Sequence, residues 1–227
     1  MRVSEAKYIR AVLEKIEPTR LSPCFNLGSS TRHFRESLKP HIQEELIAPL
    51  EERGIAIIHS DMKVGDGIDV AGDIFKQDTQ NSLRSLNIKL LLCCNMMEHV
   101  KSPESLADII DKIMPEGAFL LVSVPYSYPL HMDPIDTYFR PSPEKIAGIF
   151  PNFDLVDSSI VESTTYLQDI WYGNSRRKSL VKLLKRLVTA PFPVFGKAEW
   201  KRRHHRLFWL FRRYKITCVL LRKRSSF

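Results

Sequence analysis

Five side chains able to bind a substrate or move a proton fall within fifteen residues of this chain: Tyr126, His131, Asp136, Tyr138 and Arg140. Pro125, Pro129, Pro134 and Pro141 restrict the backbone around them, and a long polar loop with a fixed backbone is suited to holding a substrate. If the chemistry needs a base, His131 is the stronger candidate, because an imidazole with an unperturbed pKa near ~6.5 accepts a proton at neutral pH. Asp136 is the second catalytic candidate. The same residues also support a plainer reading, in which Asp136 and Arg140 form an internal ion pair that shapes the loop while His131 fills a gap. The two are compatible. Upstream, Glu98 and His99 set a carboxylate beside an imidazole. That pair is either an acid and base couple or a structural pin, with Glu98 tying down a loop and His99 packing nearby.

The elements that must position these groups can be read from the punctuation around them. Residues 90–94 are a continuous apolar run too short for a helix, as expected of a strand covered on both faces. Ser102, Pro103 and Glu104 then open a helix with a hydroxyl cap, a proline in the first turn and an acid near the amino end. Leu106, Ile109, Ile110 and Ile113 form its apolar stripe, and Pro115 with Gly117 ends it. Residues 118–124 are a second apolar strand. A strand, helix and strand of this kind form a right-handed crossover in a parallel sheet. Ligands of such sheets sit beyond the carboxyl ends of the strands, so residues 95–99 and 125–140 should face a site.

Elsewhere, residues 4–16 read as a helix with Tyr8, Val12, Leu13 and Ile16 on its apolar face, and 35–53 as another. Residues 55–59 are a short strand closing on Asp61, and 68–74 a third strand ending in Gly72-Asp73-Ile74. An acid at the end of the second strand of such a sheet is placed to accept hydrogen bonds from ribose hydroxyls, or is an ordinary solvated loop acid. Asp66 and Asp69 are expected to face solvent or cap the loop. Ser142, Pro143 and Glu144 open a helix through 146–150, and residues 153–161 and 214–221 read as strands.

Residues 95–100 (Asn-Met-Met-Glu-His-Val), the Pro-Glu-Gly turn before Ala118, the strand end at Ser123-Val124-Pro125, and His131, Pro134, Asp136 and Arg140 at this spacing resemble class I S-adenosylmethionine-dependent methyltransferases. The resemblance is to the branch with Glu-His-Val after the fourth strand and His-x-x-Pro-x-Asp-x-x-x-Arg after the fifth, and it covers residues 20–160. It implies an α/β, doubly wound, mostly parallel seven-stranded sheet whose seventh strand is inserted antiparallel beside the sixth. The domain would comprise residues 1–162 and 214–224, with 163–213 as a basic helical insertion. It also implies cofactor contacts at Asn26, Gly28, Ser29 and Ser30, at Asp61 for the ribose, at Gly72, Asp73 and Ile74 for the adenine, and at Asn95 and Met96 along the cofactor. The glycine-rich turn departs from the family pattern, since only Gly28 is present and Asn26 replaces the acid. A glycine there lets backbone approach the ligand closely. The implied activity is S-adenosylmethionine-dependent methylation, mainly of an oxygen on an acceptor held by Tyr126, His131, Asp136, Tyr138 and Arg140; a small-molecule acceptor fits, and a glycan or lipid-linked one is suggested by the basic insertion alone.

Composition adds a partner question. Residues 1–175 hold 17 Lys and Arg against 25 Asp and Glu, net −8, whereas 176–227 hold 17 against the single Glu199, net +16. Such asymmetry suggests an anionic partner for the carboxyl-terminal part. In 179–189, Leu180, Leu183, Leu184, Leu187 and Val188 share a helical face with Lys182, Lys185 and Arg186 around it; Trp200 and Leu207 to Phe211 lie among further basic residues. Three readings are open: an amphipathic element on an anionic membrane surface, a helical cap packed on the domain, and a grip on nucleic acid. The first places the protein in the cytoplasm, peripheral to the membrane. The corresponding function alternatives are a non-catalytic methyltransferase-like binding protein and an RNA methyltransferase. The four cysteines read as small buried residues of a reducing compartment; Cys93 and Cys94 point to opposite faces of a strand and cannot chelate one ion together. No metal is expected. Residues 1–20 lack the apolar centre of a signal peptide, and the longest apolar runs are about five residues, short of the ~20 that span a bilayer.

Overall fold

Apolar runs with no polar face to show to water pair at the centre of a sheet, and seven strands do so here in the order β3-β2-β1-β4-β5-β7-β6. The computed structural model describes residues 1–131, 135–172, 176–190, 200 and 204–225, without the side chains of Arg176 and Lys182. Pro134, Lys182 as a side chain, 191–193 and the basic residues 201–203 therefore lie outside the described residues. The strands are β1 (Cys24–Leu27), β2 (Ile57–Asp61), β3 (Val70–Ala71), β4 (Leu90–Cys94), β5 (Phe119–Ser127), β6 (Phe153–Thr165) and β7 (Arg213–Lys223). β1 to β5 run parallel, while β7 pairs antiparallel with both β5 and β6. The sheet is the α/β, doubly wound arrangement expected from the sequence.

Alternation along the central strands feeds two cores. Leu90 and Leu92 of β4, with Phe119 and Leu121 of β5, face α1 (Val3–Leu13) and the helical stretch ending in α2 (Ala48–Glu52). Leu91 and Cys93, with Leu120 and Val122, face the layer of α3 (Gln77–Arg84), α4 (Pro103–Ile113) and α5 (Pro143–Ile149). Each leucine so buried contributes about 1.5–3 kcal/mol. The serine caps form as expected: Ser102 Oγ accepts from Ser105 N–H at the start of α4, and Ser142 Oγ from Lys145 N–H at the start of α5. All four cysteines are free and three are buried.

The structure departs from expectation in several places. The helix expected over 35–53 is broken: Lys39, at φ −136° and ψ 59°, leaves the helical region just before Pro40, whose ring disfavours it there, and the flanking turns Phe34–Leu38 and Gln43–Ile47 are π-helical. The third strand shrinks to two residues, because only Val70 and Ala71 reach the short end of β2. Glu98 and His99 form a 3-10 turn of their own, Met97–His99, followed by extended Val100, while α4 begins at Pro103 as its Ser102 cap implies. β6 continues past Val161 to Thr165, carried by its partner β7. The residues expected on the apolar face of the first helix are in the core beneath it, Val12 and Leu13 buried and Tyr8 and Ile16 partly so, but α1 ends at Leu13 and its buried face also takes in Glu5, Ala6 and Ile9.

Beyond β6, α6 (Tyr166–Tyr172), α7 (Arg176–Thr189) and the 3-10 turn His205–Trp209 enclose a third small core of Tyr166, Ile170, Leu183, Trp209 and Tyr214. It is joined to the loop after β5: Trp209 Nε1–H donates to the Ser127 carbonyl (3.3 Å), and Leu130 N–H donates to His205 Nδ1 (3.2 Å).

α1 is fixed to the sheet by a buried carboxylate. Glu5 Oε1 accepts from Asn95 Nδ2 and from Ser123 Oγ, both at 2.6 Å, and Oε2 accepts from Arg2 N–H at 2.9 Å. Replacing it by an apolar side chain strands two buried donors, at a cost of about 1–3 kcal/mol each. Glu5→Leu is therefore expected to lower the urea midpoint of unfolding without changing the slope, and an unchanged midpoint would show that α1 is held by its apolar face alone.

Candidate functional site

The order β2-β1-β4 places the topological switch between β1 and β4, and sheets of this kind take their ligands in a crevice beyond the carboxyl ends there. Its floor is built from three loops that lock one another. β1 ends in Gly28 at φ +69°, and a Cβ on that residue would lie 3.4 Å from Met96 Sδ across the switch. Ser29 N–H donates to the Ser60 carbonyl, and Ser30, itself left-handed at φ 56°, donates its N–H to Asp61 Oδ2 at 3.0 Å. Asp61 Oδ1 accepts from Lys63 N–H at 3.2 Å. Asn26, paired in register with His59, turns its amide to His59 Nδ1 at 3.2 Å.

Beneath this turn lies Arg35, 3% exposed, which donates to the Ser30 carbonyl and, at 3.0 Å, to the Gly67 carbonyl. Its bonds go to carbonyls and a hydroxyl, so the cation is buried among neutral acceptors, and burial lowers its pKa. Nothing in the sequence marks Arg35 beyond its place at the start of a helix. Left-handed backbone at a non-glycine residue costs about 1–3 kcal/mol, and it recurs here at Ser30, Asn95 and Tyr138.

Of the other residues expected at a cofactor, Gly72 and Asp73 follow directly on β3, and Asp73 Oδ1 accepts from Phe75 N–H at 3.0 Å. Ile74 is 3% exposed and packs into the core. Asn95 and Met96 stand at the end of β4, but the Asn95 amide is committed to Glu5. Asp69 caps as expected, accepting from His59 N–H.

The second half of the site continues from the same loop. Glu98 is fully buried, and neither carboxylate oxygen has a hydrogen-bond partner among the described residues. Its Oε1 lies 3.8 Å from His99 Nε2 and 3.8 Å from His131 Nε2. Burial pushes its pKa up to about 8, against weaker opposing pulls from its own backbone N–H and then from Arg140. The two imidazoles meet edge to face, with ring centres 5.1 Å apart. Burial also lowers the pKa of His131, which Asp136 counteracts.

Asp136 is held from every side. Arg140 donates to both its oxygens, at 3.0 and 2.7 Å, and the His131 and Tyr138 N–H groups donate to it at 3.0 and 2.8 Å. Its burial would raise the pKa, but the Arg140 and backbone hydrogen bonds outweigh it and hold the carboxyl below its usual range. The internal ion pair foreseen in the sequence is thus present. The Arg140 guanidinium carbon stacks 4.7 Å from the Tyr138 ring centre. Tyr126 is the bulged residue where the β5–β7 register shifts, and is 38% exposed. Tyr128, not singled out beforehand, packs its ring 5.4 Å from that of His131. Glu5 was also missed, although its spacing of four from Ile9 puts it on the apolar face of α1.

No protein-family model matches the chain, and no curated protein sequence matches it. Among solved structures it is similar to coclaurine N-methyltransferase bound to N-methylheliamine and SAH, at TM-score 0.52 and 12% identity over 96% of this chain and 72% of that one. It is also similar to a Galdieria sulphuraria protein provisionally assigned as a sarcosine dimethylglycine methyltransferase, at TM-score 0.56 and 9% identity over 98% and 85% of the two chains. At such identities the likeness is one of fold: this chain has the Rossmann-like fold of the class I methyltransferases.

One titration follows from the crevice. Burial, followed by the Arg35 and Arg32 cations, lowers the His59 pKa from 6.5 to about 4, with Asp69 opposing. The unfolded chain therefore binds the extra proton first, and the stability owed to neutral His59 is present above pH 6.5 and lost as pH falls through about 4. His59→Asn is expected to flatten this acid decline, read from urea midpoints on either side of the window. An equally steep decline in the variant would assign it to other groups.

Proposed function

We propose that this chain is an S-adenosylmethionine-dependent methyltransferase that acts on an oxygen of a small-molecule, glycan or lipid-linked acceptor. The observation that carries this reading is the Gly28, Ser30 and Asp61 floor at the switch point of a methyltransferase fold. The residues fit the cofactor: each Asp61 oxygen accepts a single backbone N–H and keeps a lone pair, enough for two ribose hydroxyls. Gly28 leaves its crest free of a Cβ. Asn26, Ser29, Gly72, Asp73 and Met96 border the same crevice, with Ile74 packed behind it and Asn95 anchoring its β4 side. S-adenosylmethionine, when bound, supplies a methyl group on a cationic sulfur, which needs little covalent help from the protein.

The chain's own contribution is then position and proton handling. The Asp136 to Arg140 pair fixes the loop that carries His131 and Tyr138, and Tyr128 backs the His131 ring. Burial keeps His131 neutral, so an acceptor hydroxyl can give up its proton to the imidazole as the oxygen attacks. Asp136 serves by holding His131 and the loop.

A second reading, a binding protein that keeps the fold without the reaction, is favoured by the Asn95 amide being tied to Glu5 and by Met96 lying over Gly28. Calorimetric titration with S-adenosylmethionine separates the two. Saturable binding that Asp61→Ala weakens tenfold or more, about 1.4 kcal/mol, is expected of the enzyme; no binding by the folded chain would sink that reading and leave the other.

The proposal extends to location, at the cytoplasmic face of an anionic membrane. Of the apolar stripe on α7, Leu183 alone is buried, while Leu184 and Val188 are 59% and 70% exposed. Tyr172, Phe208 and Phe211 add rings 73%, 76% and 79% exposed, in a carboxyl-terminal part of the chain that also carries Lys185, Arg206 and Arg212. A cap packed on the domain accounts for Leu183 and Trp209 but not for these. Among the described residues no helix is long and apolar enough to cross a membrane. The chain is expected to co-sediment with phosphatidylserine-containing vesicles, and Phe208→Ser with Phe211→Ser to reduce this severalfold. Loss to neither vesicles nor the double substitution, with binding to RNA that falls steeply with salt, would favour the nucleic-acid alternative.

A further inference from the structure

Among the described residues, one group of imidazole and carboxylate ligand atoms converges: those of Glu98, His99 and His131 all lie within 4.8 Å of one another. We propose that these three side chains bind a first-row transition-metal dication, with zinc as the natural probe. The ion and the base role proposed above are alternative uses of the His131 imidazole, because a ring bound through Nε2 with its Nδ1 proton on Asp136 cannot accept another proton.

The geometry is close to that of a bound site. Glu98 Oε1 is 3.8 Å from each of the two Nε2 atoms. An ion with bonds of about 2.0–2.2 Å in a tetrahedral site sets its ligand atoms roughly 3.4 Å apart, so the two carboxylate–imidazole separations must close by a few tenths of an ångström and the imidazole pair, within 4.8 Å, by up to about 1.4 Å. Two imidazoles and a carboxylate are a donor set that suits zinc and its neighbours, and three protein ligands leave a further position for water or for an acceptor oxygen.

The surroundings orient the ligands as a metal requires. His99 Nδ1 is engaged by the Ile135 carbonyl, which fixes the proton on that nitrogen and turns the Nε2 lone pair inward. His131 Nδ1 lies 3.2 Å from Asp136 Oδ2, and a small ring rotation aligns it for donation, again leaving Nε2 for the ion. Asp136 is itself fixed by Arg140 and two backbone N–H groups.

The independent pointer is Glu98. Its carboxylate is fully buried, and both oxygens lack a hydrogen-bond partner among the described residues. A buried carboxyl without a donor is costly unless something compensates it. Arg140 is committed to both Asp136 oxygens, so it does not serve. The other buried carboxyls among the described residues show the contrast: Glu5 and Asp136 each have three or more donors in place. A dication supplies what Glu98 lacks.

The test is calorimetric titration of the full-length chain, freed of metal by chelator and dialysis, with zinc chloride and no S-adenosylmethionine. One saturable site per chain is expected, weakened at least tenfold in each of Glu98→Gln, His99→Gln and His131→Gln, and unchanged in His41→Gln. Circular dichroism checks that the variants fold. Because Glu98→Gln perturbs a buried position, cobalt(II) loading of the unaltered chain gives a second readout: visible absorption of a low-coordinate nitrogen and oxygen site, without the strong sulfur charge-transfer band that cysteine ligation gives. Absence of saturable zinc binding by the folded chain, binding of equal strength in all three variants, or a sulfur band would each overturn the proposal. Failure here leaves the Asp61-dependent cofactor titration untouched, and the reverse also holds.

Discussion

The site depends on where β4 stops. Asn95 leaves the strand in a left-handed conformation, at φ 52°, while its N–H still bonds to the Ser123 carbonyl of β5. Its amide is held by Glu5, so the turn is set by α1 as well as by the sheet. Everything after it takes its direction from this turn. Met96 is laid across Gly28, and the 3-10 turn Met97–His99 drives Glu98 inward while its carbonyl receives Thr137 N–H and Oγ1–H from the loop after β5. The two halves of the candidate site, the β1–β4 switch and the loop after β5, are therefore built outward from one backbone conformation.

Three buried carboxyls show how the same burial is resolved in different ways. Glu5 is neutralised by hydrogen bonds alone, from a side-chain amide, a hydroxyl and a backbone N–H. Asp136 combines a bidentate guanidinium with backbone donors, the strongest arrangement available to a carboxylate, and its pKa is lowered accordingly. Glu98 has neither, and burial drives its pKa up. The first two are scaffolding. The third is kept in reserve, which is the condition expected of a group that meets a ligand rather than its own chain.

Much of the scaffold was legible because it rests on short-range physics. The apolar runs of β4 and β5 and the Ser102 and Ser142 caps follow from local pattern alone. The break at Pro40 was legible in principle, but the apolar and acidic residues on either side continue a helical pattern across it. α3 could not be read, since Gln77 to Arg84 buries only Gln80 and Leu83 and has no apolar stripe. In the site, His131, Asp136 and Arg140 stood out by residue type and spacing. Glu5 and Tyr128 did not, because their roles depend on partners 90 residues away in the first case and on a ring contact across a loop in the second. Glu98 was visible as a pair with His99, but its missing partners are a property of the folded chain only.

The third core joins the outer helical region to the loop after β5. Trp209 and His205 of the carboxyl-terminal helical region hold the backbone of Ser127 and Leu130, and Tyr128 between them touches both Tyr214 and His131. The outer, basic and aromatic face thus shares its packing with the loop that carries His131. Any surface that favours one packing of that face favours one placement of His131 by the same free energy, and a ligand that orders His131 must strengthen attachment of the face in equal measure. Binding at the outer face and binding at the loop that carries His131 would, on this wiring, be two readouts of a single equilibrium.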